Sequence, residues 1–371
     1  MNSKRWLLVV LAAVLLAGLS VSGFSVNGAL YADQPTKLTG TEEPTEAAVE
    51  PTEEAPAEPI PTPIVTGKRW NIAVVVKLTG ISWFDAMNKG ITRAAEELGV
   101  DAYMTGPDKP DPALQVKVVE DLIAKGVDAI AVVPNDAKSL EPAFKKAKDK
   151  GIIVLTHESP DQIGNDYDLE LIDNVKFGQR NFDMLVKYMG DSGKIGVYVG
   201  GLTVPLHNLW ADEGLKYAAE KYPNIVQVGD REPVSEDVAL ARQKTLDMIK
   251  AYPDLKGIVA FGSQGPIGAA QAVKEKGLSD KIIVVGTVLP SQAAPYLKDG
   301  SLKYGSLWSP ADAGYGMVWL ARYILDGNKV VDGIEIPGMG KATLNDRVVL
   351  FDAMMDITAD NVDQLIADTG L

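Results

Sequence analysis

Residues 70–171 and 194–290 follow one plan twice, which limits the chain to a fold with two similar halves. Each copy opens on a short apolar strand, Ile72–Val76 (IAVVV) and Ile195–Val199 (IGVYV). Each strand runs into a loop with aromatic or amide residues, Lys77–Phe84 (KLTGISWF) and Gly200–Trp210 (GGLTVPLHNLW). A segment with an Ala-Ala-Glu turn follows in both, ITRAAEELG at 91–99 and LKYAAEKYP at 215–223. A second helix, a strand (129–133, 257–261), a third helix and a last strand (152–155, 282–285) complete each copy. A period of more than a hundred residues is too long for stacked repeats, so the copies are lobes. The strands are continuous Val/Ile/Ala runs, which need apolar cover on both faces. Strict alternation of strand and helix therefore predicts an α/β fold: two doubly wound parallel-sheet lobes with a ligand cleft at their strand-end loops.

The helices carry the matching period. Gln115–Lys125 puts Val118, Val119, Leu122 and Ile123 on one face, and Arg242–Tyr252 does the same with Leu246, Ile249 and Tyr252. Gly126, Gly151 and Gly277 stand just past helix ends, where a left-handed cap favours glycine. Beyond the second copy we expect a helix at Ala293–Lys298, a strand at Tyr304–Leu307 and a helix at Asp312–Leu325. A hairpin at Ala342–Asp352 and a helix from Thr358 should follow. Crossings between lobes are expected near Asp173-Asn174, near Ser309-Pro310 and after Gly333, forming a three-strand hinge. Residues 69–173 with about 310–333 then make the first lobe, and 174–309 with about 334–371 the second, each large enough for its own core.

The N-terminus has a different composition. Lys4 and Arg5 precede 27 uncharged residues, Trp6–Ala32, the layout of an export signal. The same stretch is long enough to span a bilayer, so 1–32 reads as a signal or an N-terminal anchor. Residues 33–68 are a Pro/Thr/Glu/Ala tract with eight acids and two lysines, a composition that forms a disordered, semi-extended linker. The absence of cysteine excludes disulfides, a thiolate nucleophile, Cys-ligated metal and a lipid-accepting cysteine. Outside the two N-terminal segments the chain carries −10 of the formal −14, which repels nucleic acid and anionic lipid.

Catalytic signatures are missing. Two histidines, His157 and His207, lack partners at metal-ligand spacing, no G-x-S-x-G or G-x-G-x-x-G occurs, and no phosphate-loop lysine follows a glycine run. We therefore expect no enzyme activity, no metal and no cofactor. Cleft candidates are instead the polar and aromatic residues at strand ends. Lys77 leaves the first strand directly and would need a polar partner if buried. Trp83 and Phe84 begin the next helix, where flat rings suit the C–H faces of a sugar. His157 and Glu158 end the fourth strand, and a carboxylate there grips hydroxyls. From the second copy come Asn208, Ser263 and Gln264, and Trp308 ends the returning strand. His207 reads as a loop hydrogen-bonder.

From about Asn71 to Ile357 the chain resembles periplasmic sugar-binding proteins of the ribose-binding type. The resemblance is carried by KLTGISWFDAMNKGITRAAEELG, QVKVVEDLIAKGVDAIAVVPND, GIIVLTHES and DAGYGMVWLARYILDGNKV. Lys77 after the first strand is similar to the branch of autoinducer-2 and rhamnose-type receptors. Departures from autoinducer-2 binders are Leu206-His207 in place of an acid and an amide, and Phe261 and Ser263 in place of proline and alanine. The first-lobe aspartate of that pattern falls on Glu158 and its arginine neighbour on Ser159. The resemblance implies an exported, monomeric solute-binding protein of an ABC importer. It would capture a monosaccharide or similar small polyol by lobe closure and pass it to membrane permease subunits, in the periplasm or at the outer face of the cytoplasmic membrane. An autoinducer-2 receptor is the alternative. A LacI-like repressor would need a DNA-binding helix-turn-helix before residue 70, where the apolar segment stands, and an exported α/β enzyme would have to turn over its sugar.

Overall fold

A computed structural model describes residues 64–371; the expected export segment and most of the expected linker lie outside the described residues. The first half runs β1 (Asn71–Val75), α1 (Ser82–Leu98), β2 (Asp101–Thr105), α2 (Pro112–Lys125), β3 (Ala129–Val132), α3 (Ala137–Asp149), β4 (Ile153–His157) and β5 (Tyr167–Glu170). The second runs α4 (Asn174–Met189), β6 (Ser192–Val199), α5 (Pro205–Lys221), β7 (Asn224–Gln227), β8 (Glu232–Pro233), α6 (Val238–Ala251), β9 (Leu255–Ala260), α7 (Gly265–Glu275), β10 (Ile283–Thr287), α8 (Pro290–Lys298) and β11 (Tyr304–Leu307). α9 (Pro310–Leu325), β12 (Glu335–Ile336), β13 (Gly340–Lys341), β14 (Thr343–Asn345), β15 (Val348–Leu350), β16 (Met355–Ile357) and α10 (Val362–Thr369) close the chain.

Both sheets use one strand order. β2-β1-β3-β4-β5 forms the parallel part of the first, and β7-β6-β9-β10-β11 that of the second. The duplicated plan is thus a duplicated doubly wound topology. Its switch points fall beside β1 and β6, where the loops at the strand C-termini diverge and leave a crevice. Lys77 and Gly200 stand at those two points.

The C-terminal region corrects the expected division. The hairpin β14–β15 pairs with β5 of the first sheet, β15 lying parallel to it (Val349 opposite Leu169). Residues 343–350 therefore belong to the first lobe, and only β16, antiparallel to β11, returns to the second sheet. The crossings are 171–173, 308–309 and 351–354. The edge of β5 was open to a partner, and no periodicity in the hairpin says which sheet edge it will cover.

Packing follows the doubled pattern. α1 lies against α9 so closely that a Cβ on Gly90 would sit 1.7 Å from the Ala311 carbonyl oxygen, which only glycine permits. The cores are not separate as expected. One apolar cluster continues from the α1/α9 side of the first sheet through Trp83, Trp308 and Trp210 into the second lobe. A smaller cluster fills the other face of the first sheet, under α2 and α3, with Val75, Ile130, Val132, Leu140 and Phe144. At the foot of the first lobe the chain entry is strapped to the end of α9. Ile64 donates to and accepts from the Asn328 amide (2.6 and 2.9 Å), and Thr66 and Trp70 both donate to Asp326.

Candidate functional site

Between the two switch points the lobes enclose a small cavity with about 10 Å³ of free room, enough for one water, so a larger guest enters only when the lobes part. Its walls are Lys77, Ile81, Trp83 and Phe84 from the β1–α1 segment, Glu158 from the end of β4, and Trp308 after β11. His207, Trp210, Glu236, Gly262, Ser263 and Thr287 line it from the second lobe. The lobes already touch here: Thr203 donates across the cleft to the Asn135 carbonyl (3.0 Å), and Lys77 spans the gap.

Lys77 is 3 % exposed. Its Nζ lies 2.8 Å from Glu158 Oε2 in its own lobe, and 3.0 Å from His207 Nε2 and 3.6 Å from Glu236 Oε1 in the other. Burial alone would lower the ammonium's pKa, but the two carboxylates outweigh it and hold the lysine charged, above its ordinary value. The pKa of Glu236 is raised as well, by burial, and Lys77 restrains the rise. His207 is pushed well below the ordinary imidazole value by burial and by Lys77. The ring stays neutral.

Local backbone aims these groups. Glu158 has φ +63°, the left-handed region that a glutamate seldom occupies. That turn, one residue past β4, swings the carboxylate out of the strand direction and towards Lys77; strain of this kind concentrates at functional sites. Gly200 leaves room for its neighbours, since a Cβ there would lie 2.7 Å from Glu236 Oε1 and 2.8 Å from His207 Nδ1.

The aromatic wall is a connected cluster. Trp308 meets Trp83 edge to face (5.1 Å between centroids), Trp210 (5.3 Å) and Phe177 (5.5 Å), and His207 stacks on Trp210 (5.4 Å). Two rings that both face the cavity and touch each other give an apolar platform for the less polar face of a ligand. Trp83→Ala should weaken ligand binding by more than about 1 kcal/mol, read by calorimetric titration, and cost stability too, since the ring is buried against Trp308. Trp308→Ala should do the same, with a destabilisation of about 3–5 kcal/mol, because it empties the centre of the cluster. Normal affinity in both folded variants would place the rings in the core alone.

Of the residues predicted from sequence, the structure brings Lys77, Trp83, Phe84, Glu158, Ser263 and Trp308 together around the cavity. Three lie outside it. His157 stands behind Trp308: its Nδ1 donates to the Leu169 carbonyl (2.6 Å) and its Nε2 accepts from the Trp308 indole (3.3 Å), which fixes the ring's position. The Asn208 amide is used within its own lobe, donating to Gly201 and Val204 carbonyls and accepting from Arg231. Gln264 turns its amide to the Ser263 hydroxyl (2.9 Å) at the start of α7. Sequence reasoning missed Glu236 and Thr287 and left His207 out of the site. Thr287 was findable, as a polar residue closing an apolar strand. Glu236 was not, because the two-residue β8 that positions it has no pattern of its own.

Two lining atoms have no hydrogen-bond partner although buried, Glu236 Oε1 and Thr287 Oγ1. Buried polar atoms in folded proteins are nearly always satisfied, which leaves these two open to a partner within the cavity.

Comparison with known proteins agrees with the fold. The profile of the periplasmic binding protein domain matches residues 72–329. The chain is 26% identical over 250 residues to a D-ribose/D-allose-binding protein of Pseudomonas aeruginosa, covering 63% of this chain and 76% of that one. It is 32% identical over 222 residues to a xylitol-binding protein of Mycolicibacterium smegmatis, covering 56% and 61%. Among solved structures, LsrB from Clostridium saccharobutylicum in complex with AI-2 is similar with a TM-score of 0.74 and 27% identity, over 79% of this chain and 98% of that one.

Proposed function

The chain belongs to the periplasmic binding protein family, and from the cavity it builds we propose that it is the solute-binding protein of an ABC sugar importer, closing on one neutral monosaccharide or small polyol. The observation that carries the reading is the buried Lys77, paired with Glu158 in its own lobe and faced by His207 and Glu236 from the other, beside two tryptophans. Carboxylates accept hydroxyl hydrogens, the lysine donates, and the rings cover C–H faces, so a polyol finds a partner for each kind of group it carries. An anion would face Glu158 and Glu236, and a cation would face Lys77. The relatives described as binding D-ribose, D-allose and xylitol support the same ligand class.

In this reading the protein is exported, works as a monomer without metal or cofactor, and hands its ligand to permease subunits. The hinge of three crossings permits the lobes to part and re-close. Autoinducer-2 remains the second reading, favoured by Lys77 and by the likeness to an AI-2-bound protein. Against it stands Leu206, buried and apolar where that resemblance expects an acid.

A melting screen with pentoses, hexoses, deoxyhexoses, pentitols and autoinducer-2 separates the two. At a hundredfold excess over its dissociation constant the true ligand should stabilise the protein by about 2.7 kcal/mol. Stabilisation by autoinducer-2 alone would select the second reading, and no shift with any compound would remove both.

A further inference from the structure

Building on the sugar-receptor reading, we propose that Lys77, His207 and Glu236 together hold one hydroxyl group of the ligand, which accepts from Lys77 and His207 and donates to Glu236.

Gly200 fixes the tautomer of His207. Its backbone N–H donates to His207 Nδ1 at 2.9 Å. A ring nitrogen that accepts carries no hydrogen, so the neutral imidazole bears its hydrogen on Nε2. That Nε2–H points at Lys77 Nζ, 3.0 Å away, and an ammonium has only hydrogens to offer. Two donors therefore face one another with no lone pair between them. On the third side Glu236 Oε1 lies 3.6 Å from Nζ, beyond hydrogen-bond reach, and is buried without a donor. Two donor nitrogens and one acceptor oxygen thus line the same corner of the cavity.

A hydroxyl supplies the complement of that set, two lone pairs and one hydrogen. A carbonyl oxygen would satisfy both donors and leave Glu236 orphaned. An ammonium would add hydrogens to a place that has two too many. A carboxylate would bring negative charge against Glu236 and Glu158. The charged and titratable groups facing His207 are Lys77 from the end of β1, Glu158 from the end of β4 (Oε2 at 3.9 Å from Nε2) and Glu236 after β8. Burial and the lysine keep the ring neutral, so its donor does not come and go with mild acidification.

Two measurements test this. In the full-length wild-type protein, nitrogen-15 spectra of the imidazole should show His207 protonated on Nε2 and unprotonated on Nδ1, unchanged from about pH 5.5 to 8. D-ribose, D-allose, L-rhamnose and xylitol are then titrated calorimetrically, and the single-deoxy derivatives of the tightest probe are compared in wild type, His207→Phe and Glu236→Gln. One deoxy position should lose at least about tenfold in wild type and little further in either variant. Glu236→Gln, which changes one oxygen for an amide nitrogen, keeps the comparison usable if His207→Phe does not fold. A hydrogen on Nδ1, a ring that titrates near pH 6.5, or deoxy losses equal in all three proteins would overturn the proposal. If the wild type binds none of the probes, the sugar reading has failed and takes this proposal with it; binding with additive losses sinks this proposal alone.

Discussion

Lys77→Met should abolish ligand capture while leaving a folded protein. The substitution keeps the length of the side chain and removes the cation that Glu158 and Glu236 share. In the closed state two carboxylates would then stand buried without a counter-charge, which disfavours closure by about 3–5 kcal/mol. That corresponds to more than about a hundredfold in affinity. The open state differs, because parting the lobes lets water reach both carboxylates. The melting temperature of the ligand-free variant should therefore fall far less than its affinity, and small-angle scattering should find it more expanded than wild type. Glu158→Gln should behave more mildly, with a clear loss of affinity but a nearly unchanged melting temperature, since Glu236 still neutralises the lysine. Undiminished affinity in Lys77→Met would mean that the ion cluster plays no part in closure. A collapse of the ligand-free fold would assign it to the core instead.

Stability should also fall as pH rises above the ordinary carboxyl range, through a pair of acids away from the cavity. Asp168 and Glu170 lie two residues apart on β5, both essentially inaccessible to water, and among the described residues no lysine or arginine is paired with either. Asp168 Oδ1 accepts from the Thr156 hydroxyl (2.6 Å) and the Ser159 amide (3.2 Å), while Asp168 Oδ2 and Glu170 Oε1 have no other partner. Burial raises the pKa of both, that of Glu170 strongly, and the neighbouring Asp168 pushes Glu170 further. The folded protein thus holds protons that the unfolded chain has released. Their contribution is complete below the unfolded carboxyl range and is lost as pH rises through the raised folded values. The slope is up to about 1.4 kcal/mol per pH unit for each proton held in excess. Glu170→Gln removes the main titrating group at equal size, so its stability should decline less than that of wild type as pH rises from the ordinary carboxyl range upward. Urea melts across that range decide it, and curves displaced by the same amount at every pH would point to packing rather than titration.

Much of this was readable in the sequence because parallel sheets covered on both faces advertise themselves. The runs at 72–76, 129–133, 195–199, 257–261 and 282–285 could only be buried strands, and strand order then places Lys77, Glu158, Ser263 and Trp308 at one crevice. What escaped were features set by approach in space. β5 reads Tyr-Asp-Leu-Glu, and nothing in those four residues says that both acids are buried beside a hinge crossing. The hairpin β14–β15 could have covered an edge of either sheet. Asn208 and Gln264 sit in the right turns, yet each spends its amide on nearby backbone or side-chain groups. The polarity of His207 depends on a single backbone N–H, from Gly200, that no pattern of residue types reveals.

The strap at Ile64 also makes the two lobes unequal in any attached arrangement of the molecule. It grips the far end of α9, whose 16 residues put it about 24 Å from the cleft. A surface, a fluorophore or a fusion partner joined upstream of Ile64 thus holds the first lobe by its heel and leaves the second as the swinging jaw. A dye on α5 or α6 would then travel with capture while a dye on α2 stays still. A sensor made from this protein should carry its handle at the front of the chain and its reporter on the second lobe.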